Sequence, residues 1–285
     1  MAESPQPGSD DPITRAHLRD ARGFSPPIAR FAPPEELGDL IRRFWVPVWS
    51  LPEGQTSVQR VLQYPVCQLV VAPDYAHLVG PRVGMSTKEL SGSGWAFGAM
   101  LQPAAGAPLL GGPVGALVDR DLDLDQVPGL AGAQVVRRVR RLLAGDPADG
   151  PAQAAAAGVV EEALRSLLPV DDEALLVNEL VELVECDPAV TRVSDLCARL
   201  GLSERSLQRL TARRIGLSPK WLIQRRRLHD AAGRLARPDR PPLTVVAAEL
   251  GYADEAHFVR DFRRVTGLTP GAYAAEPRPS PSATR

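Results

Sequence analysis

Between Val193 and Pro270 the chain repeats itself, and this repeat constrains the fold more than any other feature. Val193, Leu196, Cys197 and Leu200 are apolar at i, i+3, i+4 and i+7 and lead into Gly201; Leu243, Val246, Ala247 and Leu250 repeat the pattern and lead into Gly251. Each set predicts one buried helix stripe, ended by a glycine able to take a left-handed conformation. Beyond the glycine the offset grows by one residue, inside the turn, where an insertion is tolerated best. Ser203 then matches Asp254, both good N-caps, and Glu204 matches Glu255, an acid suited to a first helical turn. Leu207 matches Phe258, Arg209 matches Arg260, Arg213 matches Arg264, Gly216 matches Gly267 and Pro219 matches Pro270.

A short helix, a tight turn and a second capped helix make a helix-turn-helix, whose second helix enters the major groove of DNA. The predicted core side is Leu207, Leu210 and Ile215 in the first unit, and Phe258, Phe262 and Val265 in the second. That leaves Arg205, Ser206, Gln208, Arg209 and Arg213 exposed on one recognition helix, and Glu255, Ala256, Val259, Arg260 and Arg263 on the other. Arg can bond bidentately to guanine and Gln to adenine. A single such helix reads first as an ordinary solvated face; two registered repeats with matching arginines favour DNA contact. His257 fits a phosphate contact and a plain surface position equally well.

Charge points the same way. The formal net charge is −1, but residues 192–264 hold 16 basic against 8 acidic side chains, leaving 17 basic and 26 acidic elsewhere. A basic segment on an acidic partner suits nucleic acid, although only Lys88 and Lys220 are lysines and arginine richness can reflect genome composition. Residues 218–237 bridge the two units as a predicted helix of about twenty residues, or roughly 30 Å. Adjacent major-groove segments on one face lie about 34 Å apart. Arg225, Arg226 and Arg227 on this bridge are expected to reach phosphates or to be solvated.

The segment Ala247–Tyr273 resembles the signature of the AraC/XylS family of bacterial transcription regulators, carried by Gly251, Tyr252, Phe258, Arg260, Phe262, Arg263, Gly267 and Pro270. The resemblance spans roughly Val170 to Ala275. It implies a seven-helix domain with two helix-turn-helix units on promoter DNA; the polar N-terminal segment and the lack of a long apolar stretch lead us to expect a cytoplasmic, nucleoid-associated protein. The family's base-reading positions fall on Arg205, Gln208 and Arg209, and on Glu255, Ala256 and Arg260. Two departures stand out. Thr211 occupies a place where the first unit often has a large aromatic, which is expected to loosen that unit's core. Ala256 is too short to hydrogen-bond a base, so readout by the second unit is expected to lean on Arg260.

The rest of the chain divides by composition. Residues 1–22 and 276–285, rich in Pro, Ser and charge, read as disordered tails. Residues 23–130 carry short apolar runs between turn residues (Phe44–Trp49, Val58–Tyr64, Val66–Val71, Trp95–Leu101) and predict a small β-barrel or sandwich. Residues 131–170 predict a helical hairpin, Ala133–Leu143 and Ala152–Leu167, either packed on the β domain or used for dimerisation. Residues 171–275 form the helical DNA-binding part. The fold class is α+β: a β-rich regulatory domain and hairpin, then an all-α seven-helix domain. Trp45, Trp49, Tyr64, Trp95 and Phe97 are candidates to line an apolar ligand pocket; the plain alternative is barrel core.

Other functions are weighed against this one. An alkylation-repair enzyme borrowing the same DNA-binding domain needs an activated cysteine and a zinc-binding cysteine cluster. Cys67, Cys186 and Cys197 are far apart, and Cys67 sits in an apolar run without a neighbouring base. A metal-dependent cupin enzyme needs clustered His and Glu, and His77 is the only histidine in the β region. No enzyme activity, cofactor or metal is therefore expected, and no apolar stretch approaches a membrane span. A helix-turn-helix module that does not bind DNA remains the third reading. The expected partners are promoter DNA and a second copy of the chain, with RNA polymerase and a small-molecule effector as further candidates.

Overall fold

The computed structural model describes residues 17–18 and 24–275, apart from residues 62, 63, 236 and 238. The expected C-terminal tail, and all but two residues of the N-terminal one, lie outside this range. The exception is β1, His17–Leu18, which pairs with Val61 and Arg60, so that part of the expected tail is a strand.

Two open antiparallel sheets form the N-terminal sandwich. The smaller has the order β1-β4-β7, with β4 at Thr56–Val61 and β7 at Ser86–Ser91. The larger contains β2 (Ile28–Phe31), β3 (Ile41–Ser50), β5 (Gln68–Val71), β6 (Ala76–Val79), β9 (Phe97–Leu101) and β10 (Asp121–Asp123) in the order β10-β6-β5-β9-β3-β2, and β8 (Ser93–Trp95) also pairs with β3. The run read as one strand, Trp95–Leu101, is thus two, β8 and β9, which share β3 as a partner.

The larger sheet is buried on both faces, and its side chains sort by parity as a pleated strand requires. Phe44 and Val46, Leu69 and Val71, Leu78, and Phe97, Ala99 and Leu101 point to a helix-covered core. This core is closed by α1 (Pro103–Leu110), α2 (Gly132–Leu142) and α3 (Gly150–Leu164), with Leu109, Val139, Val160 and Leu164 fully buried. The predicted hairpin therefore packs on the β domain. Arg140, on the basic side of α2, reaches back to donate to the Ala72 carbonyl at 2.9 Å.

Seven helices follow among the described residues: α4 (Asp172–Cys186), α5 (Val193–Leu200), α6 (Glu204–Arg214), α7 (Pro219–Leu235), α8 (Leu243–Glu249), α9 (Glu255–Thr266) and α10 (Pro270–Ala275). They hold two cores. Val177, Leu180, Leu196, Leu207, Leu210, Ile215 and Leu222 form the first, and Tyr64, Val66 and Met100 of the β domain join it. Leu228, Leu235, Val246, Phe258, Phe262 and Tyr273 form the second. Each fully buried Leu, Val or Phe contributes roughly 1.5–3 kcal/mol to holding these helices together, before the entropy of ordering the chain is counted. Asn178 of α4 joins the domains further: its Oδ1 accepts from the Ala104 amide at 2.9 Å and its Nδ2 donates to the Asp39 carbonyl at 2.9 Å.

Candidate nucleic-acid interface and an interior cavity

The two helix-turn-helix units are built alike in detail. α5 starts where Asp195 accepts from the Thr191 and Arg192 amides at 2.9 and 2.8 Å, bonds that hold its carboxyl below the usual range. Gly201 then turns the chain with φ +65°, and Gly251 does the same after α8 with φ +74°, a region where a Cβ is strained. Ser203 caps α6 by accepting from the Ser206 amide at 3.1 Å; Asp254 caps α9 by accepting from the His257 amide at 2.6 Å. Such caps are worth about 1 kcal/mol each.

Burial then selects the outward side chains. Leu207, Leu210, Phe258 and Phe262 are buried, while Arg205, Gln208, Arg209 and Arg213 on α6, and Ala256, His257, Arg260 and Arg263 on α9, are exposed. Ser206 and Glu255 are half-buried, the former bonded to the Ser203 hydroxyl. Thr211, at the matching position of Phe262, is fully buried and bonds its own helix through the Gln208 carbonyl.

The arginines fall into two sets. Arg205, Arg209, Arg260 and Arg263 have no carboxylate partner among the described residues. Arg213 contacts Glu173 at 3.1 Å, and Arg264 lies 3.3 Å from Asp261. His257 lies edge-on to Tyr252 and 3.8 Å from Asp261.

The bridge arginines correct the expectation that they are solvated or on phosphate: Arg225 and Arg226 are buried, Arg227 is half-buried, and each is bonded within the protein. The Arg225 side chain is 0% exposed and pairs with Glu185 at 2.7 Å. Arg226 bonds Asp230 and the Val190 carbonyl, and Arg227 donates to the Thr191 carbonyl at 2.6 Å. They lie on the helix faces that meet α4 and the loop before α5, so their charges hold α7 in place. The bridge itself is Pro219–Leu235, about 25 Å long and shorter than predicted.

A cavity of about 490 Å³ lies between the two sheets of the β domain. Its walls are the strand faces opposite the helix-covered core. Trp45, Pro47 and Trp49 come from β3, Gln68 and Val70 from β5, Met100 from β9, and Gln59 and Val61 from β4, with Tyr64 and Tyr75 beside them. Trp45, Trp49 and Tyr64 line this space. Trp95 and Phe97 do not: both belong to the core on the other side of the sheet, because neighbouring positions on a strand face opposite ways. Arg30, Arg43, Arg82 and Lys88 also line the space, against the single carboxylate of Asp121. The polar lining was legible in one place. On β4 the inward residues are Ser57 and Gln59, while Val58 faces out at 41% exposure. That inverts the usual pattern for a sandwich strand. Gln59 Nε2 donates to Ser57 Oγ at 2.7 Å.

Cys67 lies in the helix-covered core, where burial pushes its thiol up to about 12. Cys186 is exposed, and its bond to Glu182 pushes its thiol up to about 11. Neither is an activated thiolate. Among the described residues no group of His, Cys, Asp and Glu is arranged to hold a metal, and no helix is long and apolar enough to cross a membrane.

Two capped helices, each set behind a glycine turn and presenting unpaired arginines, define a tandem helix-turn-helix DNA-binding domain. Residues 196–276 match the family described as a helix-turn-helix domain. Together with the signature at Ala247–Tyr273, this identifies the C-terminal segment as an AraC-type helix-turn-helix domain. Residues 29–123 match a second family, described as a domain of unknown function (DUF6597). No curated protein matches the chain.

Solved structures of similar proteins include the C-terminal domain of AraT, a response regulator from Geobacillus stearothermophilus, at 19% identity over 40% of this chain and 95% of that one, with a TM-score of 0.35. A probable AraC family transcriptional regulator from Rhodopseudomonas palustris CGA009 is 28% identical over 37% of this chain and 99% of that one, with a TM-score of 0.33. ToxT from Vibrio cholerae O395 is 12% identical over 91% of this chain and 97% of that one, with a TM-score of 0.38.

Proposed function

We propose that this DNA-binding transcription regulator reads two neighbouring major-groove segments with α6 and α9, and that a small molecule held between its sheets controls it. The first part is carried by one observation: Arg205, Arg209, Arg260 and Arg263, on the outward faces of the two capped helices, have no carboxylate partner among the described residues. An exposed guanidinium without a carboxylate partner is free to take a phosphate or a guanine edge. Arg205, Gln208 and Arg209 supply base contacts from the first unit. Arg260 supplies them from the second, where Ala256 has no hydrogen-bonding group. Glu255 is placed to accept from a cytosine amino group, and Ser206, Arg213, His257 and Arg263 flank these positions and act on the backbone.

For the second part, a cavity of this volume falls in the range of ordinary small-molecule sites, and its aromatic walls with scattered polar groups have the usual composition of one. Such an effector has a flat apolar body and a polar group. ToxT has been solved bound to an unsaturated fatty acid; for this chain the argument stands on the cavity. Pairing of two copies and contact with RNA polymerase belong to the same proposal.

Electrophoretic shift on duplex fragments from upstream of the protein's own gene tests the DNA reading. The logarithm of the binding constant is expected to fall linearly with log salt, because phosphate neutralisation releases counterions. Absence of any shift at low salt, across a library of genomic fragments, would leave only a module that does not bind DNA.

A further inference from the structure

Two loops of the β domain end on the two recognition helices, and they are tied to each other. The first contains the 3-10 turn Val114–Leu117. It lies flush against the end of α6: a Cβ on Gly216, which has φ +79°, would fall 2.6 Å from Val118 Cγ2 and 2.9 Å from Gly115 Cα. The second joins β6 to β7. Its Met85 amide donates to the Val265 carbonyl in the last turn of α9 at 3.2 Å, and the Met85 side chain packs against the second unit's core.

Between these contacts the loops are bonded together. The Gly80 amide donates to the Arg120 carbonyl at 3.0 Å, and the Asp119 amide donates to the Pro81 carbonyl at 2.9 Å. Asp119 Oδ1 accepts from the Val83 amide at 3.0 Å, and Arg82 pairs with Asp121 at 2.5 Å. Gly80 is pressed so closely on Leu117 that a Cβ would fall 1.9 Å from its carbonyl oxygen. Asp119 itself takes φ +57°, a left-handed conformation that a non-glycine residue holds only where its surroundings impose it.

We propose that these loops form a brace through which the β domain sets the separation of the two recognition helices. The proposal rests on reading α6 and α9 as recognition helices. Each unit has its own core, and α7 is their covalent link. One link leaves a hinge; a second attachment, from α6 through residues 114–121 and 80–85 to α9, closes a ring of contacts and removes it. The brace touches the C-terminal ends of both helices, leaving free the N-terminal ends that approach bases. Fixed spacing lowers the ordering cost of engaging two grooves at once. Arg82 and Asp121 also line the cavity, so one body joins its wall to both units.

Two measurements on the full chain without DNA test this, so their failure is separable from failure of DNA binding. In the unaltered protein, the Met85 amide should show about 100-fold or greater protection from hydrogen exchange. Exchange at the rate of an open loop overturns the brace. Spin labels on Gln208→Cys and Ala256→Cys, with Cys186→Ser and Cys197→Ser, should give one narrow distance distribution. Adding Asp119→Ala and Met85→Ala should widen it about twofold or more, as expected when a hinge is released. An unchanged width in a variant with native far-ultraviolet circular dichroism overturns the proposal.

Discussion

The guanidinium carbon of Arg225 lies 4.5 Å from the ring centroid of Tyr64, so the helix that bridges the DNA-binding units stacks on a residue of the β domain. Arg42 lies 4.4 Å from the same centroid, and Glu185 pairs with Arg225 at 2.7 Å. Burial is the main reason the Tyr64 phenol is held far above its ordinary range, with Glu185 adding to it. Its hydroxyl is buried without a hydrogen-bond partner among the described residues.

These facts separate ring from hydroxyl. Tyr64→Phe should leave stability unchanged or raise it slightly, since no hydrogen bond is lost. Tyr64→Ala should cost about 3–5 kcal/mol through the void left between domains. Arg225→Ala should cost a similar amount, about 3–5 kcal/mol, because it strands Glu185 as a buried charge. Urea denaturation of the three variants checks the order. A large loss in Tyr64→Phe would mean that the hydroxyl has a role in the fold.

On DNA, Arg209→Ala and Arg260→Ala should each weaken the best site by about 1–3 kcal/mol and relax sequence preference at one position if the contact is bidentate. Arg213→Ala should cost less, because its Glu173 partner already holds it in the free protein. Selection of binding sites from random duplexes reads both effects. If Arg209→Ala selects the wild-type motif with undiminished affinity, α6 does not read bases.

Gly98→Ala tests the cavity wall. A Cβ at this position would fall 2.0 Å from Trp45 Cε2, so the indole must move. Overpacking of this kind costs about 1–3 kcal/mol. The tryptophan emission spectrum should shift, since Trp45 is one of four indoles, and it should do so without change in DNA affinity in the absence of effector. An unaltered spectrum would place the indole elsewhere.

The Asp171 carboxyl is held below its usual range chiefly by its hydrogen bond from Arg214, against a smaller opposing effect of burial. A lowered folded value gives stability that is present above the unfolded pKa, about 3.9, and lost as pH falls through the folded one. Asp171→Asn keeps an acceptor for the Ala174 amide but removes the charge. The wild type should exceed the variant by about 1 kcal/mol or less at neutral pH, the carboxyl being largely exposed. Thermal melts should show this gap shrinking as pH falls from about 5 to about 2. A constant gap would assign the loss to something other than the carboxylate's charge.

The helical half was legible because its determinants are local. Apolar spacing at Leu196 and Val246, the glycine turns, and the caps Ser203 and Asp254 each act within a few residues, so reading them in order returns the helices and their exposed arginines, while Ser206, Glu255 and Val259, read as exposed, are half-buried. The β half was legible only as strands. α1 escaped because Pro103, Gly106 and Pro108 carry turn signals, and tertiary burial overrides them. Trp95 and Phe97 were misplaced because an aromatic run does not reveal which parity faces which partner.

Sequence alone therefore determined two helix-turn-helix units and the residues they present, since helix periodicity and capping are short-range. The fates of Arg225, Arg226 and Arg227, the cavity, and the joining of both units to the β domain were decided by tertiary structure. Each depends on a partner that the chain brings near only on folding: Glu185 for Arg225, Trp45 for Gly98, Val265 for Met85.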